Sequence, residues 1–156
     1  MTPAISIRMG DERDRNFVLD LGRRVCGTSL SAVRPAPLPL VELAFDRLFA
    51  YIFLHPHDLL IATAGSRRCG FLVLLRNLPD EVTTTEQAFV AYMAVEPDDR
   101  RRGAGAALLR GAEDIARADG LGYLSLMVTE DNVAARRLYG SLGLQTERRM
   151  MTKALA

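Results

Sequence analysis

The sequence predicts an α/β (α+β) protein: a sheet of six to seven strands flanked by about four helices. Two kinds of segment carry this reading. Short runs, either alternating apolar and polar or densely apolar, mark strands, while segments with 3.6-residue periodicity and recognisable caps mark helices. The two kinds interleave in the order β-α-α-β-β-β-α-β-α-β(-β), which argues for one sheet with helices packed on it. The 156 residues are expected to form one domain spanning 1–156, a size at which folding buries roughly 70% of the unfolded chain's surface.

Each element has its own signal. Ile5, Ile7 and Met9 alternate with Ser6 and Arg8 to give a first strand. Asp11 is placed to cap a helix carrying Phe17, Val18, Leu21 and Val25 at helical spacing. The stretch Arg34-Pro35-Ala36-Pro37-Leu38-Pro39 is a connector, because its prolines remove donors and fix φ. A second helix follows, with Leu40, Leu43, Ala44, Leu48 and Tyr51 along its apolar face, and His55-Pro56-His57 ends it.

Leu59 to Ala64 and Cys69 to Leu75 read as antiparallel strands joined through Gly65-Ser66-Arg67-Arg68. After a turn at Asn77-Leu78-Pro79-Asp80, a longer strand is expected from about Thr84 to Val95, stopped by Pro97. A helix from Gly103 to Asp119 carries Leu108, Leu109, Ala112, Ile115 and Ala116 on one stripe. Glu113 and Arg117 pair on its wet side, and Gly120 closes it. Leu124, Leu126 and Val128 mark another strand. Asn132 caps a last helix that runs to Leu142 and ends at Gly143. Residues 144–155 are expected to add one or two strands.

Composition narrows the function. Twenty basic and nineteen acidic residues leave a formal charge of +1, which offers no bulk attraction to nucleic acid or to a membrane. Arg100, Arg101 and Arg102 form a basic run, but Asp98 and Asp99 offset it. Cys26 and Cys69 match neither a zinc spacing nor a redox pair and read as reduced thiols. His55 and His57 lack a second cluster, so no metal is expected. No leader-like or membrane-spanning run is seen, and the protein is expected in the cytoplasm.

The most informative segment joins a strand to a helix: Val95-Glu96-Pro97-Asp98-Asp99-Arg100-Arg101-Arg102-Gly103-Ala104-Gly105. A helix N-terminus leaves main-chain N–H groups unpaired and partly positive. Small residues at Gly103, Ala104 and Gly105 let a phosphate approach them, so the turn suits a pyrophosphate, or is simply a tight turn under a helix. Ala106-Ala107 stand where a nucleoside triphosphate loop needs Lys-Ser or Lys-Thr. Leu108 stands where a dinucleotide fold needs its third glycine.

Arg100-Arg101-Arg102-Gly103-Ala104-Gly105 resembles the Arg/Gln-x-x-Gly-x-Gly/Ala signature of the GNAT acetyltransferase superfamily. Upstream, Ala91-Tyr92-Met93-Ala94-Val95-Glu96-Pro97 is similar to that family's fourth strand. Downstream, Asn132 to Leu144 is similar to its Asn-x-x-Ala-x-x-x-Tyr-x-x-x-Gly-Phe helix. The three blocks keep the family's order and cover about Thr84 to Ala156. The resemblance implies a mixed, mostly antiparallel sheet and acetyl-CoA (coenzyme A) as cofactor. Met93, Ala94 and Val95 would offer main-chain partners to the pantetheine, in a cleft that a bulge in the fourth strand would open. Arg100, Arg101, Arg102, Gly103, Ala104, Gly105 and Ala106 would surround the pyrophosphate. Asn132 would touch the cofactor, and Tyr139, two turns further along the same helix face, would act as general acid.

The reaction implied is attack of an amine, on a small molecule or a peptide, upon the thioester. Where some relatives carry a glutamate base this chain has Phe89 and Met127; Glu86 and Glu130 are the nearest acidic candidates, alongside a base acting through water. A catalytically silent acyl-CoA-binding sensor is the alternative function, and a homodimer is compatible with the family.

Overall fold

One mixed sheet organises the chain. Its strands β1 (Ile5–Met9), β2 (Asp58–Ala64), β3 (Arg67–Leu75), β4 (Ala88–Val95) and β5 (Leu124–Leu126) lie side by side in chain order. The structure, a computed structural model, describes residues 1–156. β1 to β4 are antiparallel to their neighbours, whereas β5 runs parallel to β4. Four helices complete the fold: α1 (Arg15–Val25), α2 (Leu38–Leu54), α3 (Ala104–Ala118) and α4 (Val133–Ser141).

The dense apolar runs of β2 and β3 exist because both faces of the sheet are covered. Successive side chains point to opposite faces. Leu60, Ala62, Leu72 and Leu74 therefore join Leu108, Leu109 and Ala112 of α3 in one core. Leu59, Ile61, Phe71 and Val73 join Val18 and Leu21 of α1, and Phe45 and Phe49 of α2, in the other. Asp11 caps the turn that enters α1, and Asp14 returns a carboxylate oxygen to the Asp11 N–H, closing a capping box. Gly65, at φ +62°, makes the β2–β3 turn. Glu113 and Arg117 pair at 2.9 Å, and Gly120, at φ +73°, ends α3.

Three expectations are corrected. First, the sheet has five strands rather than six or seven, because residues 144–156 form no strand. No main-chain hydrogen bond involves any residue beyond Leu144. Second, α2 turns Phe45, Phe49 and Ile52 inward and leaves Leu40, Leu43, Leu48 and Tyr51 exposed. The helix is apolar on nearly every side, so periodicity alone leaves its inner face open. Aromatic packing settles it, with Phe49 5.4 Å from Tyr92 and 6.0 Å from Phe71. Third, β4 starts at Ala88 instead of Thr84, and Val128 lies beyond β5. Thr84 sits at φ +58°, in a turn where the Asp80 carboxylate accepts from the N–H groups of Val82 and Thr83.

Candidate active site

The site begins with one surplus residue. Val73 stands opposite Tyr92 and Leu74 opposite Val90, so Ala91 is the extra residue of a β-bulge in β4. A bulge bends its strand and sharpens the local twist. β5 pairs with β4 only over Ala88–Val90. From Ala91 to Val95 the β5-side edge of β4 has no strand beside it, which leaves main-chain donors and acceptors available to a ligand. Met93 and Val95 turn their N–H and C=O groups to this free edge, whereas Ala94, expected among them, stands opposite Phe71 in the pair that bonds to β3, as the Glu96–Cys69 bond two residues on shows.

The parted edge leads directly into the glycine turn. Arg101 (φ +62°) and Gly103 (φ +87°) both adopt left-handed backbone, which turns the chain sharply into α3. The N–H groups of residues 101–106 have no acceptor within the protein; the first bond of the helix runs from the Ala107 N–H to the Gly103 carbonyl. Adjacent free amides at a helix start make an anion cradle. The two glycines serve different purposes. A Cβ on Gly103 would meet open space, so its requirement is conformational. A Cβ on Gly105 would come within 2.9 Å of Leu138 Cδ2, so its requirement is the close approach of α4.

That contact places α4 over the mouth of the cradle, and α4 carries Asn132 and Tyr139. Asn132 Oδ1 accepts from the Ala135 N–H at 3.3 Å, an N-cap that occupies the oxygen and leaves the amide nitrogen free to donate. Tyr139 is half-buried against the α3-side core. Burial raises its phenol pKa, so it keeps its proton through the neutral range.

The other predicted residues divide. Arg102 turns away from the cradle and gives its guanidinium to Asp99 at 2.7 Å, while Arg100 and Arg101 are exposed beside the free amides. Glu86 is exposed just before β4, at the end where β4 and β5 are still paired. Glu130 is exposed and pairs with Arg136 at 3.3 Å. No contact brings either carboxylate to Tyr139.

Three features escaped sequence reasoning. Asp99 is fully buried, and Arg67 grips it through both carboxylate oxygens, at 2.7 and 2.8 Å, fixing the turn from below. Tyr92, beside the bulge, packs on Phe45 and Phe49, and burial pushes its phenol up to about 12. Across the opening, Thr129 Oγ1 donates to the Ser29 carbonyl at 2.7 Å, and the Ala32 N–H donates to Asp131 Oδ2 at 2.9 Å. The α1–α2 connector is thereby braced to the β5–α4 loop. Only Tyr92, a polar aromatic in an apolar strand, carried a local signal.

A parallel strand pair that opens beside free amides fits an acyltransferase that uses a coenzyme A thioester. The sequence profile of the Acetyltransferase (GNAT) family matches residues 29–144, and the chain belongs to that family, whose cofactor is acetyl-CoA. Solved structures share the fold. A putative acetyl transferase from Pyrococcus furiosus superposes with a TM-score of 0.81 at 24% identity, over 97% of this chain and 99% of that one. A ribosomal-protein-alanine N-acetyltransferase from Brucella melitensis biovar Abortus 2308 gives 0.70 at 18%, over 97% and 99%. An aminoglycoside antibiotic 6'-N-acetyltransferase from Acinetobacter haemolyticus gives 0.69 at 18%, over 97% and 98%. At such identities the likeness is one of fold. No curated protein sequence matches the chain significantly.

Proposed function

We propose that residues 1–156 act as one N-acetyltransferase unit that moves the acetyl group of acetyl-CoA directly onto an amine, borne by a small molecule or a peptide. The observation that carries this is the parting of β4 from β5 at Ala91, immediately beside the unpaired amides of residues 101–106. These groups fit the cofactor: an anion cradle for its diphosphate and a free strand edge for its amides. Once bound, acetyl-CoA supplies an acyl group activated as a thioester.

The remaining chemistry belongs to the chain. Met93 and Val95 align the pantetheine arm as an added strand through main-chain groups on the open edge, and the Met93 N–H polarises the thioester carbonyl. Asn132 donates from its free amide nitrogen to the arm. Tyr139 Oη holds the proton that a departing sulfur needs. The amine enters from the side walled by Tyr92, Ser29 and Thr129 and loses its proton to water, since Glu86 and Glu130 stand apart.

Thiol release from acetyl-CoA over a panel of primary amines and peptides tests this. Release well above the acceptor-free rate with at least one amine is expected. Coenzyme A binding without such release would reject the enzyme and leave a sensor. In a thermal-shift assay, acetyl-CoA at ~100 times its dissociation constant should stabilise the protein by about 2.7 kcal/mol, whereas ATP and NAD should not.

A further inference from the structure

We propose that the acceptor is a slender diamine, and that Glu42 of α2 holds its far ammonium while the near nitrogen is acetylated. The inference rests on the N-acetyltransferase reading above and names the substrate class of that same site.

Leu38, Glu42, Phe45, Phe49 and Ile52 recur along α2 at the spacing of one helix face. Every member of the stripe but Glu42 is apolar. Leu38 Cδ1 lies 3.5 Å from where a Cβ on Gly27 would stand, and Phe45 packs on Tyr92 with ring centroids 5.2 Å apart. Glu42 falls between these two contacts. It therefore faces the ground from Gly27 to Tyr92, on the side where Thr129 donates to Ser29. Burial first, and the Glu42 charge next, push the Cys26 thiol up, which agrees with that placement.

Glu42 is half-buried and makes no ion pair and no hydrogen bond within the chain. The arginines of neighbouring elements are already committed: Arg23 to Asp46 at 2.6 Å, Arg24 to Glu96 at 2.7 Å and Arg136 to Glu130 at 3.3 Å. Arg34 is drawn off to Thr152, and Arg47 lies on the outward face of α2. Across the opening, Asp131 also lacks an arginine and accepts only the Ala32 N–H. Once internal pairs are set aside, the opening keeps a surplus of negative charge, which draws cations. A half-buried carboxylate without a partner is poorly solvated, and a bound ammonium restores what burial removed.

Shape narrows the cation. The step from Glu42 to Phe45 is about 5 Å, and Tyr92 lies 5.2 Å beyond Phe45. A chain of several methylenes crosses that apolar stretch to the thioester beside Met93. The bonds from Thr129 to Ser29 and from Ala32 to Asp131 tie the α1–α2 connector to the β5–α4 loop, so the entrance suits a thin molecule better than a folded protein surface. In the step itself the near nitrogen, arriving as a free amine, bonds to the acetyl carbon and the C–S bond breaks. The surplus proton on nitrogen passes to water, the Tyr139 proton passes to sulfur, and water returns one to the phenol. The products are a monoacetylated diamine and coenzyme A.

Putrescine, n-butylamine and γ-aminobutyrate are similar in length and differ at the far end, which is cationic, neutral or anionic. With acetyl-CoA saturating, kcat/KM should be about tenfold or more higher for putrescine than for n-butylamine, and lowest for γ-aminobutyrate. Mass spectrometry should find one acetyl group per putrescine. Glu42→Gln, nearly isosteric and with no partner to lose, should hold its Tm. It should bring the putrescine-to-butylamine ratio down toward one by raising KM for the diamine rather than by lowering kcat. A wild type indifferent to the second charge, a preference that survives in Glu42→Gln, or a lysine peptide turned over better than putrescine would each overturn the proposal. Turnover of no amine at all would strike the enzyme reading instead. Calorimetry of putrescine with coenzyme A present then decides the subsite: binding lost in Glu42→Gln supports it, and no binding, or equal binding by the variant, overturns it.

Discussion

Two buried carboxylates, one on each face of the sheet, are held by neighbouring arginines of β3 and serve different ends. Asp14, at the start of α1, receives Arg8 through both oxygens and Arg68 through one. Asp99, before α3, receives Arg67 through both oxygens and Arg102 through one. The difference lies in the main chain. Asp14 also accepts the Asp11 N–H at 2.9 Å, so its carboxylate completes a helix cap. Asp99 accepts from side chains alone, and the amides of residues 101–106, which follow it, stay free. A segment built for structure consumes its main-chain donors, whereas one built to receive a ligand is positioned by side chains that leave them unspent.

Four measurements probe this contrast. The largest effect lies outside both clamps: Tyr139→Phe should lower kcat about 100-fold, with acetyl-CoA affinity unchanged, because only the proton is lost. Equal turnover would remove Tyr139 from the mechanism. Since burial raises its pKa, no alkaline limb from this group should show in kcat below about pH 10.

The clamps come next. Asp14→Ala and Asp99→Ala should each cost about 2 kcal/mol in urea unfolding, each stranding two half-exposed arginines. Only Asp99→Ala should also weaken coenzyme A binding in titration calorimetry, by about tenfold. Equal binding losses would erase the distinction between the two faces.

The third probe is acid. Arg8 holds the Asp14 carboxyl well below the usual carboxylate range, and Arg67 lowers that of Asp99. A carboxyl depressed in the folded state contributes stability above its unfolded value of about 3.9, which fades as pH falls toward the folded value. Asp14→Asn should therefore flatten the fall of Tm between about pH 4 and pH 2. A slope as steep as wild type would place acid sensitivity elsewhere. The smallest effect is expected from Gly103→Ala, about 1 kcal/mol in urea unfolding, because a Cβ at φ +87° is strained even in open space.

The sequence was most legible where local chemistry decides. β1 alternates, α3 has a clean stripe and a glycine stop, and Asn132 caps α4 as its position promised. The fourth-strand, glycine-turn and tyrosine-helix blocks led to the parted edge, the free amides and α4 because each is a continuous run. It was least legible where distant residues decide. The inner face of α2 depends on Phe71 and Tyr92, and the burial of Asp99 depends on Arg67, 32 positions away. The tail reads as strand because strand patterning needs a neighbour that the sequence does not name. No block marks an acceptor site, and the brace between Ser29 and Thr129 joins segments 100 positions apart.

Ala91 has a consequence beyond its own position. Side chains alternate with every residue, so a β4 shortened by that one alanine would turn its lower segment over, sending Ala88 and Val90 toward α1 and α2 and Phe89 toward α3. Such a deletion would damage the crevice and the core in one stroke. The parting of β4 from β5 and the inside-out order of the strand are thus two readings of a single count, and neither can drift without the other.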